Sequence, residues 1–202
     1  MNRCTKNQYA DEQVEECLDK LLAQGQCQIA CALALSFASG MRKAELTRMK
    51  VEFFDDAHLI LNGKMYKTGV IKTKGRGSNG KQIPKYVLKN KFQPYFDAWM
   101  QQREERGIES PWLVVTTRGG KIVQATVSQM NTYAEKIGAL MNVPFYFHCM
   151  RHLWTTNMQK EGISDSAIAE IQSWDSLEMV KRYSDIPTEE RWAQFFVGAD
   201  EE

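Results

Sequence analysis

Four residues in the C-terminal third combine chemical capacity with related spacing: His148, Arg151, Trp174 and Tyr183. His148 and Arg151 are three apart, which places two side chains on one face of a helix, and His152 joins that side. An imidazole titrates near neutral pH and can take or give a proton. A guanidinium presents a planar fork of donors that matches paired anionic oxygens. A phenol, with an ordinary pKa of about 10, needs a nearby acceptor or a positive field before it attacks anything. An indole can only donate, through its N–H. Each residue also has a plain structural explanation: taken alone, Tyr183 reads as a helix-end packing residue and Trp174 as core.

Other chemistries fit the same stretch less well. His148 and His152 are four apart, as metal ligands on a helix can be, but no Glu lies between them and His58 is the one other His in the sequence. Gly162-Ile163-Ser164-Asp165-Ser166 lacks the second Gly of a nucleophile elbow. Cys149 sits beside His148, yet His-x-x-Arg accounts for its neighbours better than a thiol nucleophile does.

The elements that would hold these groups follow from periodicity. Asp11 is expected to cap a helix with Val14, Cys17, Leu18, Leu21 and Leu22 on one stripe, ended by Gly25. Cys27 to Ala38 is apolar nearly all round, which predicts a buried central helix with Gly40 as its C-cap. Arg42 follows that cap directly, ahead of a predicted helix over Glu45 to Lys50. His58 to Leu61, Tyr66 to Lys72 and Gln82 to Val87 read as three short strands of a small antiparallel sheet. The second connection, Lys74 to Lys81, is basic and rich in Gly, but it is no P-loop because no Gly-Lys-Ser/Thr and no helix follow.

Helices are then expected over Leu88 to Glu105 and Thr126 to Met141, with Trp112 to Val115 extended and a turn at Arg118-Gly119-Gly120. Pro144 breaks the chain before a helix that starts near Phe147 and ends at Gly162. Ser164-Asp165 open the next helix, and Asp175 with Glu178 reads as a capping-box variant for the one carrying Tyr183. The class is therefore α+β and mainly helical, with a small three-stranded antiparallel sheet.

At 202 residues, 43% apolar and 25% charged, the chain can bury one sizeable core. Five cysteines, an odd number without a Cys-x-x-Cys pair, argue against disulfides and structural zinc. The longest apolar run falls short of the roughly 20 residues of a membrane span, and no secretory signal opens the sequence, so a cytoplasmic location is expected. The net charge of +1 is uninformative, but its distribution is not: residues 41–91 hold 13 Lys/Arg against 4 Asp/Glu, and residues 92–202 hold 10 against 16. A basic segment in a neutral chain is the footprint of a face that meets a polyanion, although a solvated Lys-rich surface would look the same.

In order, Gly40-Met41-Arg42 with Glu45-Leu46, Lys74 in a hairpin, His148-x-x-Arg151, Trp174 and, nine residues on, Tyr183 resemble the tyrosine recombinase (phage integrase) family. Each motif is weak alone; five in sequence are specific. The resemblance implies a lead-in at 1–9, a catalytic domain over 10–192 and a tail at 193–202. It also implies a DNA strand transferase that joins its Tyr to a 3′ phosphate, as a site-specific recombinase of a mobile element, with no cofactor and no metal. The partners so implied are double-stranded DNA carrying recombination sites and a homo-tetramer assembled on it.

On that resemblance Arg42 and Arg151 clamp the phosphate, His148 serves Tyr183, the nucleophile, as base or hydrogen-bond partner, and Lys74 protonates the leaving oxygen. Two departures stand out. Trp174 occupies a position where most members have His, and the long hairpin leaves Lys72 as the alternative to Lys74. A type IB topoisomerase-like enzyme and a DNA-binding module without catalysis remain the competing readings. The resemblance further implies an N-terminal helical domain that this sequence does not contain, as in a catalytic-domain fragment or a short inversion-type member. Trp192, Phe195 and Phe196 are expected to form an apolar helical patch, docked on a neighbour or on the chain's own domain.

Overall fold

The apolar stretch after Gly25 becomes the pivot of the fold. In the computed structural model, which describes residues 9–73 and 81–186, helix α2 spans Cys27–Ser39 and every residue from Ile29 to Ser39 is buried. A helix with no polar face can only lie inside, and α2 is enclosed by α1 (Asp11–Ala23), α4 (Lys89–Glu105) and α6 (Phe147–Lys160). Phe92, Phe96 and Trp99 turn from α4 into this core, where Phe54 meets Phe92 at 4.7 Å and Phe96 at 5.5 Å between ring centres. The indole N–H of Trp99 donates to the Leu113 carbonyl at 2.8 Å, satisfying the polar tip of a buried ring.

Gly40 ends α2 in the left-handed region, at φ 61°, and turns the chain directly into α3 (Lys43–Leu46). The predicted helix over Glu45 to Lys50 is therefore shorter and begins earlier. The reason is Arg42, whose backbone N–H donates to Glu45 Oε2 at 2.8 Å and opens the turn three residues ahead of Glu45. Asp11 is also not a cap: it is the first residue of α1, and its carboxylate takes Lys91 Nζ at 2.8 Å and Asn157 Nδ2 at 2.7 Å, tying α1 to α4 and α6.

The predicted three-strand sheet is divided. Strands β1 (Leu59–Ile60), β2 (Met65–Lys67) and β5 (Tyr86–Leu88) form one antiparallel sheet, while β3 (Ile71–Lys72) pairs with β4 (Gln82–Ile83) in a separate ribbon. Lys67 faces Tyr86 and Ile71 faces Ile83, so three residues on one side oppose two on the other. That extra residue is a bulge-like break, and Pro84, which has no N–H to donate, sits opposite it. A further hairpin, β6 (Val115–Arg118) with β7 (Lys121–Gln124), forms around the predicted Arg118-Gly119-Gly120 turn, and α5 (Gln129–Met141) starts three residues later than expected.

The C-terminal part follows the reading closely. Ser164 caps α7 (Asp165–Gln172), accepting from the Ala167 N–H at 3.3 Å, and Ser173 leaves that helix at φ 54°. Helix α8 (Glu178–Tyr183) follows, but Asp175 does not cap it; its carboxylate pairs with Lys81 of the hairpin. Cys17, Cys27 and Cys31 are free, whereas Cys149 is disulfide-bonded, against the expectation drawn from the odd cysteine count. Among the described residues no helix is long and apolar enough to cross a membrane. The apolar patch expected at Trp192, Phe195 and Phe196 lies outside the described residues, as does the chain beyond Ile186.

At Gly40 a Cβ would sit 3.1 Å from Gln172 Nε2 and 3.2 Å from Trp154 Cβ, in a backbone conformation that costs an L-residue about 1–2 kcal/mol. Gly40→Ala is expected to lower the unfolding free energy by about 1–3 kcal/mol, read from the urea midpoint at unchanged slope. An unshifted midpoint would show that the α2–α3 joint relaxes freely.

Candidate active site

Arg151 lies on the buried side of α6 and is 0% exposed. One of its five donors is engaged: Nη1 donates to the Gly40 carbonyl at 2.9 Å, so the end of α2 holds the guanidinium. Nε and Nη2 have no hydrogen-bond partner among the described residues. The guanidinium carbon stands 4.8 Å from the Trp174 ring centre and 5.4 Å from that of Tyr183. Burial, followed by the nearby charge of Arg42, pushes the Arg151 pKa down to about 10, with Glu45 opposing, so the group remains a cation at neutral pH.

Arg42 stands at the N-terminus of α3, with its side chain 38% exposed and its Nη1 3.4 Å from Glu45 Oε1. Glu45 is buried, and its carboxylate also meets Lys85 Nζ at 3.1 Å. Burial alone would raise the Glu45 pKa, but Lys85, the Arg42 N–H and the charges of Arg151 and Arg42 outweigh it and hold the carboxyl below its ordinary range. Lys85 is likewise buried. Loss of hydration lowers its pKa against the opposing pull of Glu45.

Tyr183 closes the arrangement from the last residue of α8 and is 7% exposed. Its ring lies almost flat on Trp174, at 5.1 Å and 11°, and edge-on to His148 at 5.4 Å and His152 at 4.8 Å. The turn after Ser173 aims Trp174 back at this cluster, and its indole N–H, buried, has no partner among the described residues. His148 is exposed at the rim, while His152 is buried, its Nδ1 3.6 Å from Asp185.

Five of the six expected residues therefore converge. Arg151, Trp174 and Tyr183 touch, His148 borders Tyr183, and Arg42 shares Glu45 with the same corner. Lys74 lies outside the described residues; Lys72, the alternative, is exposed on β3, and its carbonyl accepts from Arg48. Two residues in this corner escaped the sequence reading as members of it. Glu45 was noted as a motif residue without a task. Lys85 lies within the predicted strand over Gln82 to Val87, where alternation with Ile83 and Val87 puts a lysine on an apolar face, and the structure buries it at the break between β4 and β5.

The family model described as the phage integrase family matches residues 8–190, and the chain belongs to that family. Among solved structures the chain is similar to XerA recombinase, with a TM-score of 0.69 at 13% identity over 96% of this chain and 65% of that one. It is similar also to XerH site-specific recombinase bound to its palindromic difH substrate in a post-cleavage complex, with a TM-score of 0.66 at 17% identity over 99% of this chain and 54% of that one. A third is the Tn1549 transposon integrase in complex with circular intermediate DNA, with a TM-score of 0.62 at 14% identity over 96% of this chain and 66% of that one. The chain thus spans between about half and two thirds of the length of these structures. No curated protein matches the sequence.

Both His148 and His152 are held below the ordinary imidazole value of about 6.5. For each, loss of hydration is the first cause; Arg151 adds to it at both, and His152 and Arg42 add at His148, while Asp185 opposes at His152. Between the lowered and the ordinary value the unfolded chain binds more protons, so stability rises with pH there. The contribution is complete above about pH 6.5 and is lost as pH falls toward the folded-state values. The melting temperature is expected to be level above about pH 7 and to fall toward about pH 5, and His152→Gln should shrink that fall. An equal fall in the variant would place the titration elsewhere.

Proposed function

We propose that this chain is the catalytic part of a site-specific DNA recombinase that cuts and rejoins strands through a 3′-phosphotyrosyl intermediate, serving a mobile element. The observation that carries the reading is the buried Arg151 guanidinium, with Nε and Nη2 unpartnered among the described residues and the Tyr183 ring centre 5.4 Å from its carbon. A buried cation keeps free donors only at a cost, and an anionic oxygen is what they fit.

On this reading the Tyr183 oxygen attacks phosphorus, its proton passing to His148, and the bond to the 5′ oxygen breaks. Arg42 and Arg151 hold the two non-bridging oxygens as charge gathers there, and Trp174 adds its N–H. The departing 5′ oxygen takes its proton from Lys74. Attack by a 5′ hydroxyl on the phosphotyrosine reverses the bond changes, releases Tyr183 and reseals a strand. The number of phosphodiester bonds is unchanged, so no external energy source is needed. The domain would span residues 10–192, act in the cytoplasm where DNA is accessible, and work as a tetramer on two double-stranded sites.

Support for recombination over simple relaxation comes from the family and from its solved neighbours, which are recombinases and integrases by description. A nicked suicide DNA substrate separates the readings. The wild-type chain is expected to form a covalent adduct that Tyr183→Phe abolishes and that Arg42→Gln or Arg151→Gln slows on the order of 10²-fold or more. Trp174→His is expected to keep substantial cleavage. Absence of an adduct from well-folded wild-type protein would leave a DNA-binding module, and adducts without exchange between two sites would leave a topoisomerase-like enzyme.

A further inference from the structure

Lys85 is the largest feature of this corner that the mechanism leaves unused. It is 3% exposed, and the one acid that meets its ammonium among the described residues is Glu45, at 3.1 Å. The backbone around it is tied twice to Thr68: the Lys85 N–H donates to Thr68 Oγ1 at 2.9 Å, and the Thr68 N–H donates to the Lys85 carbonyl at 2.8 Å. Those bonds lie at the break between the two parts of the hairpin, so the break is what seats the lysine against α3.

Burying an ammonium costs several kcal/mol even after relaxation, and a surface position on the strand would have avoided it. The counter-charge is equally buried. Glu45, 2% exposed, makes three contacts, to Lys85 at 3.1 Å, to the Arg42 N–H at 2.8 Å and to Arg42 Nη1 at 3.4 Å. Without Lys85, the buried carboxylate would have only the two arginines as counter-ions, and Arg42, whose side chain is 38% exposed and already 3.4 Å from Glu45, would be drawn onto it. With Lys85 in place, Glu45 is already neutralised from the hairpin side.

We propose that Lys85 is a positioning residue of the strand-transfer site: by sharing the charge of Glu45 it limits that carboxylate's hold on the Arg42 guanidinium to the single long contact at 3.4 Å and leaves the other Arg42 donors to the scissile phosphate. The inference rests on the recombinase reading of the same site. It gives the corner three cations, Arg42, Lys85 and Arg151, against one carboxylate, a surplus of two positive charges facing a group whose charge grows in the transition state. Lys85 acts through Glu45 and does not touch DNA.

The test measures adduct formation on a nicked suicide DNA together with DNA affinity, in the full chain. Lys85→Met is expected to slow adduct formation on the order of 10²-fold, the scale of misplacing a catalytic group by about 1 Å, while DNA affinity is retained. Lys85→Met with Glu45→Gln removes both charges and restores the surplus, and is expected to recover most of the lost rate; Lys85→Arg is expected to stay near wild type. The uncharged pair also guards against misfolding, because deleting one partner of a buried ion pair destabilises whereas replacing both is tolerated.

A double variant no faster than Lys85→Met would overturn the proposal, as would a loss confined to DNA affinity. Wild-type adduct with an equally fast Lys85→Met would sink this inference alone. A wild type that forms no adduct would sink the recombinase reading, and this inference with it.

Discussion

The burial of the Arg151 guanidinium is the constraint to which the rest of the site answers. Taking a cation out of water costs several kcal/mol after relaxation, and the fold offsets part of that in identifiable ways. The Gly40 carbonyl accepts one N–H, at the C-terminal end of α2, where the helix dipole adds roughly half a negative charge. The faces of Trp174 and Tyr183 lie within cation–π range, a contribution of about 0.5–2 kcal/mol. What stays uncompensated is directional, two nitrogens without an acceptor among the described residues. A site arranged in this way is less stable than it could be, and an anion that fills those donors binds to structure already in place.

The same helix end organises its neighbours. Gln172 of α7 donates to the Ser39 carbonyl at 2.8 Å, so α6 and α7 both anchor side chains on carbonyls that α2 itself cannot satisfy. Gly40 is required because any Cβ would enter the space held by Gln172 and Trp154. Since α2 is buried on all sides, its C-terminus is among the least mobile points of the fold, and Arg42 is placed two residues beyond it. The two guanidiniums thus take their positions from one joint, even though they lie more than a hundred residues apart in sequence.

Much of this was legible in the sequence, for a physical reason in each case. The α2 helix announces itself because its residues are apolar all round, and α6 because Gly162 and Pro144 bound it. Of the site, helical spacing alone joins His148 to Arg151, on one helix; Trp174 and Tyr183 joined them only through the resemblance to the family's pattern, because their placement is tertiary. What escaped depends on tertiary partners. Asp11 and Asp175 look like caps by local chemistry, but Lys91 with Asn157, and Lys81, compete for them successfully. The division of the sheet turns on a one-residue mismatch across Lys67–Tyr86 and Ile71–Ile83, which no strand propensity encodes. Lys85 is not legible as a buried residue because lysine is usually exposed and its partner, Glu45, is forty residues away in sequence.

Trp174 is a position where this chain departs from its family's pattern, and its geometry differs from what an imidazole could make. An imidazole there would offer a proton that can come and go; an indole offers one fixed donor and a larger face. That face lies at 11° to Tyr183 and 4.8 Å from the Arg151 guanidinium carbon, so one residue touches both. Stacking fixes the plane of the phenol ring, which an imidazole of smaller area would hold less firmly. On the recombinase reading, the chain has given up one titratable group in exchange for a better-held nucleophile. On the same reading, proton movement at Tyr183 is then left to His148, which is exposed at the rim.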